Sequence, residues 1–241
     1  MKHITFYLDF ISPYAYLAFE KLPEVLMGHS YSVTYKPILF AALLKHHGQL
    51  GPAEIAPKRE WTYRQVQWLA HSHGVALQLP AAHPFNPLGL LRLAVACGVD
   101  TGLHSGMDIS AAGDDLAPDE IDSPVLHVGS PSRFVTETLF RHVWQGGADA
   151  ASPERLAQVT EKLAPERDVN SAQVKAQLKA NTEGAISLGL FGVPTLTVDD
   201  KNFWGLDALP MLRDYLNGDV WFDGPSWQAA SRLPVGVARP K

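Results

Sequence analysis

The stretch Asp9-Phe10-Ile11-Ser12-Pro13-Tyr14-Ala15-Tyr16 decides how the rest of the chain is read, because two periodicities meet inside it. Before it, Ile4, Phe6, Leu8 and Phe10 alternate with Thr5, Tyr7 and Asp9. That is the period-2 repeat of a strand, and the near absence of charge predicts a central strand covered on both faces. At Ser12-Pro13 the period changes. Serine brings a side-chain oxygen to a first-turn amide, and proline has its φ preset and no amide to leave unpaired, so the pair predicts a helix N-terminus. Leu17, Ala18, Leu22, Val25 and Leu26 recur at helical spacing, with Pro23 placed to kink the helix and Gly28 placed to end it. Tyr31 to Lys36 (YSVTYK) is β-branched and aromatic, which predicts a second strand, parallel to the first through a right-handed crossover.

Further along, the segments Ile38 to Leu44, Trp61 to Leu69, Leu88 to Ala96, Pro131 to Gln145, Ser152 to Leu163 and Ser171 to Leu188 carry helical patterns with no strand between them. Thr101 to Ser130 is rich in Gly, Asp, Ser and Pro, the composition of a long surface loop. Strands return at Thr195 to Val198 and Asn202 to Trp204, a hairpin turning at Asp199-Asp200-Lys201, before a helix over Asp207 to Leu216. The expectation is an α/β protein in which a small βαβ…ββα domain, residues 1–37 plus 185–220, carries a large all-helical insertion over 38–184. Residues 221–241 are expected to run along the surface as a tail.

Composition excludes several functions. With 241 residues, 46% hydrophobic and 19% charged, the chain has an ordinary globular balance. A formal net charge of -5 offers no basic field for a polyphosphate, which argues against a nucleic-acid partner. No apolar run approaches the roughly 20 residues of a membrane span, and MKHITFYLDF lacks the marks of a signal peptide. The expected compartment is the cytoplasm, with no membrane partner. Cys97 stands alone, so no dithiol chemistry takes place within the chain. It lies on the apolar side of a helical run and reads as a small, inert core residue. His46, His47, His71, His73 and His83 lack the spacing of a metal motif, so no metal is expected.

In thioredoxin-like proteins the junction between this strand and this helix holds a reactive Cys-x-x-Cys. Here Ser12-Pro13-Tyr14-Ala15 substitutes both cysteines. Phe191-Gly192-Val193-Pro194-Thr195 puts a proline immediately before a strand and resembles the cis-proline segment of that fold. Together with His83-Pro84-Phe85-Asn86-Pro87-Leu88 and Phe203-Trp204-Gly205-Leu206-Asp207, these pieces resemble the 2-hydroxychromene-2-carboxylate isomerases. That family is related to the kappa-class glutathione transferases within the DsbA-like group, and the resemblance spans nearly the whole chain. Two features depart from it. The Thr101 to Ser130 stretch is longer than the family needs, and Gln49 stands where kappa-class relatives often present an asparagine.

The resemblance implies glutathione as cofactor, a small aromatic carboxylate as substrate and a homodimer as the assembly. Ser12 is the implied catalytic residue: a helix N-terminus favours an anion, and a hydroxyl donor lowers a thiol pKa without forming a disulfide. For the cofactor, the resemblance implies Ser12, a strand-like pairing with Val193 before cis Pro194, and the loop Trp204-Gly205-Leu206-Asp207. In that loop the Leu206 amide and the Asp207 carboxylate suit the γ-glutamyl end. For the substrate it points to Lys45 and Lys58, in the loop after the second strand, with Arg59 a weaker choice, and to Asn86 and Arg92. Read without the resemblance, Ser12 and Asp207 are helix caps and the two lysines are solvated surface charges. The implied reaction is a glutathione-dependent isomerisation of 2-hydroxychromene-2-carboxylate-type substrates to trans-o-hydroxybenzylidenepyruvate-type products. A kappa-like transferase or peroxidase is the nearest alternative, and a redox-inactive DsbA-like binding protein a further one.

Overall fold

Five successive residues of the first strand, Ile4 to Leu8, are buried, because both faces of that strand are covered. The structure, a computed structural model, describes residues 1–98 and 130–237. The predicted surface loop at Thr101 to Ser130 therefore lies outside the described residues except for Ser130. Strand β1 (Lys2–Leu8) pairs in parallel with β2 (Tyr31–Pro37) across helix α1 (Pro13–Val25). The helical stretch follows as α2 (Phe40–His46), α3 (Ala56–His73), α4 (Leu88–Ala96), α5 (Arg133–Trp144), α6 (Pro153–Leu163) and α7 (Ala172–Ser187). The chain then returns to the sheet with β3 (Thr195–Val198) and β4 (Lys201–Trp204), and closes with α8 (Leu209–Leu216) and α9 (Pro225–Ala230). Among the described residues the sheet has four strands in the order β2-β1-β3-β4, with β3 antiparallel to both β1 and β4. This is the α/β thioredoxin-like arrangement with a helical segment between its halves.

Local chemistry starts the helices. Ser12, Ser132, Ser152 and Ser171 each accept a first-turn amide on their side chains, opening α1, α5, α6 and α7. Helix α1 passes through Pro23 to Val25, and its C-terminal carbonyls are met by Arg213 of α8, which donates to Val25 O at 2.6 Å and Met27 O at 2.8 Å. The alternation of β1 splits the interior in two. Ile4, Phe6 and Leu8 join the large core with α1, α4 and α5, whereas Tyr7 packs in a smaller cluster with Ile38, Leu43 and Val193.

Two boundaries shift from the sequence reading. The hairpin turns at Asp199-Asp200 alone, because Lys201 already pairs with Val198, and Asp199 takes the left-handed conformation (φ 53°) that a short polar side chain tolerates. The stretch after Asn217 is not a mere surface tail. Phe222 is buried and packs against Phe203, Tyr215 and Trp227, because an aromatic cluster gains more from covering the end of the sheet than from solvent.

Candidate active-site groove

Antiparallel pairing of β3 with β1 and β4 puts three chain segments at one end of the sheet. There the exit of β1 leads to Ser12, Val193–Pro194 leads into β3, and β4 ends at Trp204. The Val193–Pro194 bond is cis. Pro194 O accepts from Gly205 N at 2.9 Å, which ties the last two segments together. Beside them opens a groove of about 800 Å³, within the size range of small-molecule sites. Its walls are Tyr14, Lys21 and Val25 of α1, Gln65, Leu69 and His73 of α3, and Leu209, Pro210 and Arg213 of α8.

Six of the residues predicted for the cofactor, Val193, Pro194, Trp204, Gly205, Leu206 and Asp207, line this one groove. Ser12 does not line it. It lies one hydrogen bond behind Val193, 6% exposed, with Oγ accepting from Ala15 N at 3.2 Å and donating to Val193 O at 3.4 Å. Asp207, which doubled as a helix cap in the sequence reading, makes no side-chain cap to the short turn Leu206–Ala208 or to α8. Its carboxylate folds back over Gly205, so closely that a Cβ on Gly205 would overlap it. Trp204 is 52% exposed, and its ring meets Phe191 edge-on at 4.8 Å. A Cβ on Gly192 would overlap the indole nitrogen, so glycine there is what lets the indole lie against the backbone.

The four residues predicted for the substrate do not join this groove. Lys45 and Lys58 are exposed, and they stand in α2 and the first turn of α3 rather than in the expected loop. The helical propensity of their neighbours extended both elements past the predicted ends. Arg59 is committed to His83 O at 2.9 Å. Asn86 Oδ1 accepts from Leu88 N at 3.0 Å, the local bond of an Asx turn at the start of α4, and Arg92 is half-buried on α4.

The sequence reading passed over several residues at this end of the sheet. Tyr14, inside the motif itself, donates from Oη to Gln65 Oε1 at 2.7 Å and so joins α1 to α3 at the groove wall. Burial raises its phenol pKa, with Thr62 opposing and the Asp207 carboxylate adding to the rise. Asp9 is fully buried, and burial pushes its carboxyl up to about 7 although it accepts from Phe40 N and Ile11 N. Its position three residues before Ser12, directly after a strand with little charge, was the signal available. Cys97, read as a small core residue, caps the C-terminus of α4, half-buried, and burial raises its thiol to about 11. Among the described residues no group of three or more His, Cys, Asp or Glu is gathered as for a metal, and no helix is long and apolar enough to cross a membrane.

The family described as DSBA-like thioredoxin domain matches residues 3–107 and 126–217. A 2-hydroxychromene-2-carboxylate isomerase of Sphingobium xenophagum is 29% identical over 223 residues, covering 89% of this chain and 98% of that protein. A glutathione S-transferase kappa 2 of Caenorhabditis elegans is 24% identical over 232 residues, covering 89% of this chain and 92% of that protein. Among solved structures, a 2-hydroxychromene-2-carboxylate isomerase superposes with a TM-score of 0.66 at 22% identity, covering 96% of this chain and all of that one.

Proposed function

Because the chain belongs to the DSBA-like thioredoxin-domain family, and because that fold here carries serine in place of the reactive cysteine, we propose that it is a glutathione-dependent isomerase. Its substrates are of the 2-hydroxychromene-2-carboxylate type and its products of the trans-o-hydroxybenzylidenepyruvate type. The observation that carries this reading is the convergence of Val193, Pro194 and the Trp204–Asp207 loop on one groove beside the start of α1. Similarity to isomerases of that name across most of the chain supports it.

The groove suits a zwitterionic peptide. Asp207 offers an exposed carboxylate to an ammonium, and the glycine at 205 leaves that carboxylate room beside the backbone. Trp204 and Leu209 supply apolar cover. When bound, glutathione supplies a thiolate that adds reversibly to a conjugated double bond, so that the bond rotates before elimination restores it. Ser12 holds a proton that turns with its Cβ–Oγ bond, and its bond to Val193 O is long at 3.4 Å, so redirecting that proton toward an anion costs little. The N-terminus of α1 adds its positive dipole end at the same place.

Purified protein incubated with hydroxychromene carboxylate, with and without glutathione, tests the assignment by absorbance. Turnover that needs glutathione is expected. A kappa-like transferase is the second reading, favoured by the kappa-class similarity. Turnover of a chloroaromatic acceptor alone would select it. Isomerisation that proceeds equally without the tripeptide would remove the cofactor.

A further inference from the structure

The backbone of the Asp9–Ser12 loop is tied from several directions. Asp9 Oδ1 accepts from Ile11 N at 3.1 Å, and Asp9 O accepts from Ser12 N at 3.1 Å. From α5, Trp144 Nε1 donates to Phe10 O at 3.0 Å. The carbonyl Ile11 O belongs to the Ile11–Ser12 peptide. It lies 2.7 Å from His83 Nε2.

A carbonyl only accepts, so Nε2 carries the proton, and Nδ1 of a neutral ring is an acceptor. Tyr63 Oη stands 2.7 Å from Nδ1 and 3.1 Å from the His83 carbonyl, to which Arg59 also donates at 2.9 Å. The imidazole is packed among the rings of Tyr63, Phe85 and Trp144, with centroids at 5.6, 5.9 and 5.5 Å. Burial lowers its pKa, with the bond to Ile11 O opposing the fall. Both nitrogens thus have a partner, and the half-buried ring is held among three aromatic rings. A chain of contacts runs from α3 through one imidazole to the residue before Ser12.

We propose that His83 is a positioning residue for Ser12, holding the Ile11–Ser12 peptide against α3 and so fixing where the Ser12 hydroxyl stands relative to Val193 and the groove. The catalytic consequence rests on the reading of Ser12 given above, whereas the structural consequence rests on the geometry alone.

The test uses the full chain with His83→Phe, which keeps a ring among the three aromatics and removes the Nε2 donor, and His83→Gln, whose amide nitrogen restores a donor. Hydrogen exchange of the Ser12 amide, without ligand, is expected to speed up about tenfold in His83→Phe and to recover most of that in His83→Gln, as one lost hydrogen bond implies. Amides in α6 should not change. With glutathione and substrate, kcat is expected to fall about tenfold or more in His83→Phe, while the KM for glutathione stays within about threefold, because Trp204 to Asp207 are untouched. If His83→Phe does not fold, Tyr63→Phe takes its place: it leaves the ring but removes the hydroxyl on Nδ1, with about a threefold rise in exchange expected. Unchanged exchange at Ser12 in the folded variant overturns the proposal, and so does a loosened loop with wild-type kcat. A loosened loop in a protein whose wild type shows no glutathione-dependent turnover supports the clamp and sinks the isomerase reading instead.

Discussion

The Asp9–Ser12 loop and the Trp204–Asp207 loop both bond to the Val193–Pro194 segment, the first through Ser12 Oγ to Val193 O and the second through Gly205 N to Pro194 O. There the similarity stops. Asp9, Phe10 and Ser12 of the first are buried and Ile11 is half-buried, with the loop's carbonyls and amides bonded by Asp9, Trp144 and His83. The second sends an indole and a carboxylate into the open. Under the function proposed above, the difference separates two tasks. Placing one hydroxyl needs a frame that does not move, and burial with satisfied polar groups supplies it. Gripping a ligand needs side chains whose partners are not already inside the protein, and exposure supplies that.

The largest expected effect probes the buried loop through Asp9. Its folded-state carboxyl is raised from 3.8 to about 7, so the folded protein holds that proton more tightly than the unfolded chain does. Its contribution is fully present below pH 3.8 and is lost as pH rises through about 7. Relative to Asp9→Asn, the wild type should lose on the order of 4 kcal/mol between pH 4 and pH 8, read by denaturant unfolding at each pH. A pH-independent difference would show that the loop does not desolvate this carboxyl.

Next in size, Ser12→Ala should lower kcat by about 10²-fold or more while costing about 1 kcal/mol of stability as a lost cap. Equal turnover in wild type and variant would reduce the buried loop to a structural feature. On the exposed loop, Asp207→Asn should weaken glutathione binding about tenfold by calorimetry and leave stability within about 0.5 kcal/mol. A large stability loss there would contradict the contrast between the loops. The smallest effect belongs to Tyr14→Phe, which removes one hydrogen bond to Gln65 at the groove wall and should cost about 0.5 kcal/mol, measured by thermal unfolding.

Much of this arrangement was legible residue by residue. The Ser12 cap and the alternation of β1 depend on neighbours within a few positions, and the structure forms them where the pattern indicated. The loop Trp204 to Asp207 and the Val193–Pro194 segment were implied by the family resemblance, and the structure brings them to one groove. Missed were Tyr14 with Gln65, Asp9 with Phe40, and His83 with Ile11. Each pair joins residues 31 to 72 positions apart, and nothing in one partner's surroundings announces the other. His83 stands in the sequence reading as part of the His83–Leu88 motif and as a histidine outside any metal spacing, and its bond to Ile11 O is not legible from either.

By itself, then, the sequence determined what each segment would become: a covered strand, a serine-capped helix, a proline-led hairpin strand, and the absence of a second thiol. Those outcomes follow from dihedral preference, capping and periodicity, which act over a turn or a pleat. Only the tertiary structure decided that Ser12 sits behind Val193 rather than in the groove lining, that an imidazole from beyond α3 holds the peptide before it, and that the predicted substrate residues stand apart from the groove. Those outcomes depend on which buried donor reaches which carbonyl once the core has closed. Leaving either group unpaired away from water costs more than the local preferences on which a linear reading relies.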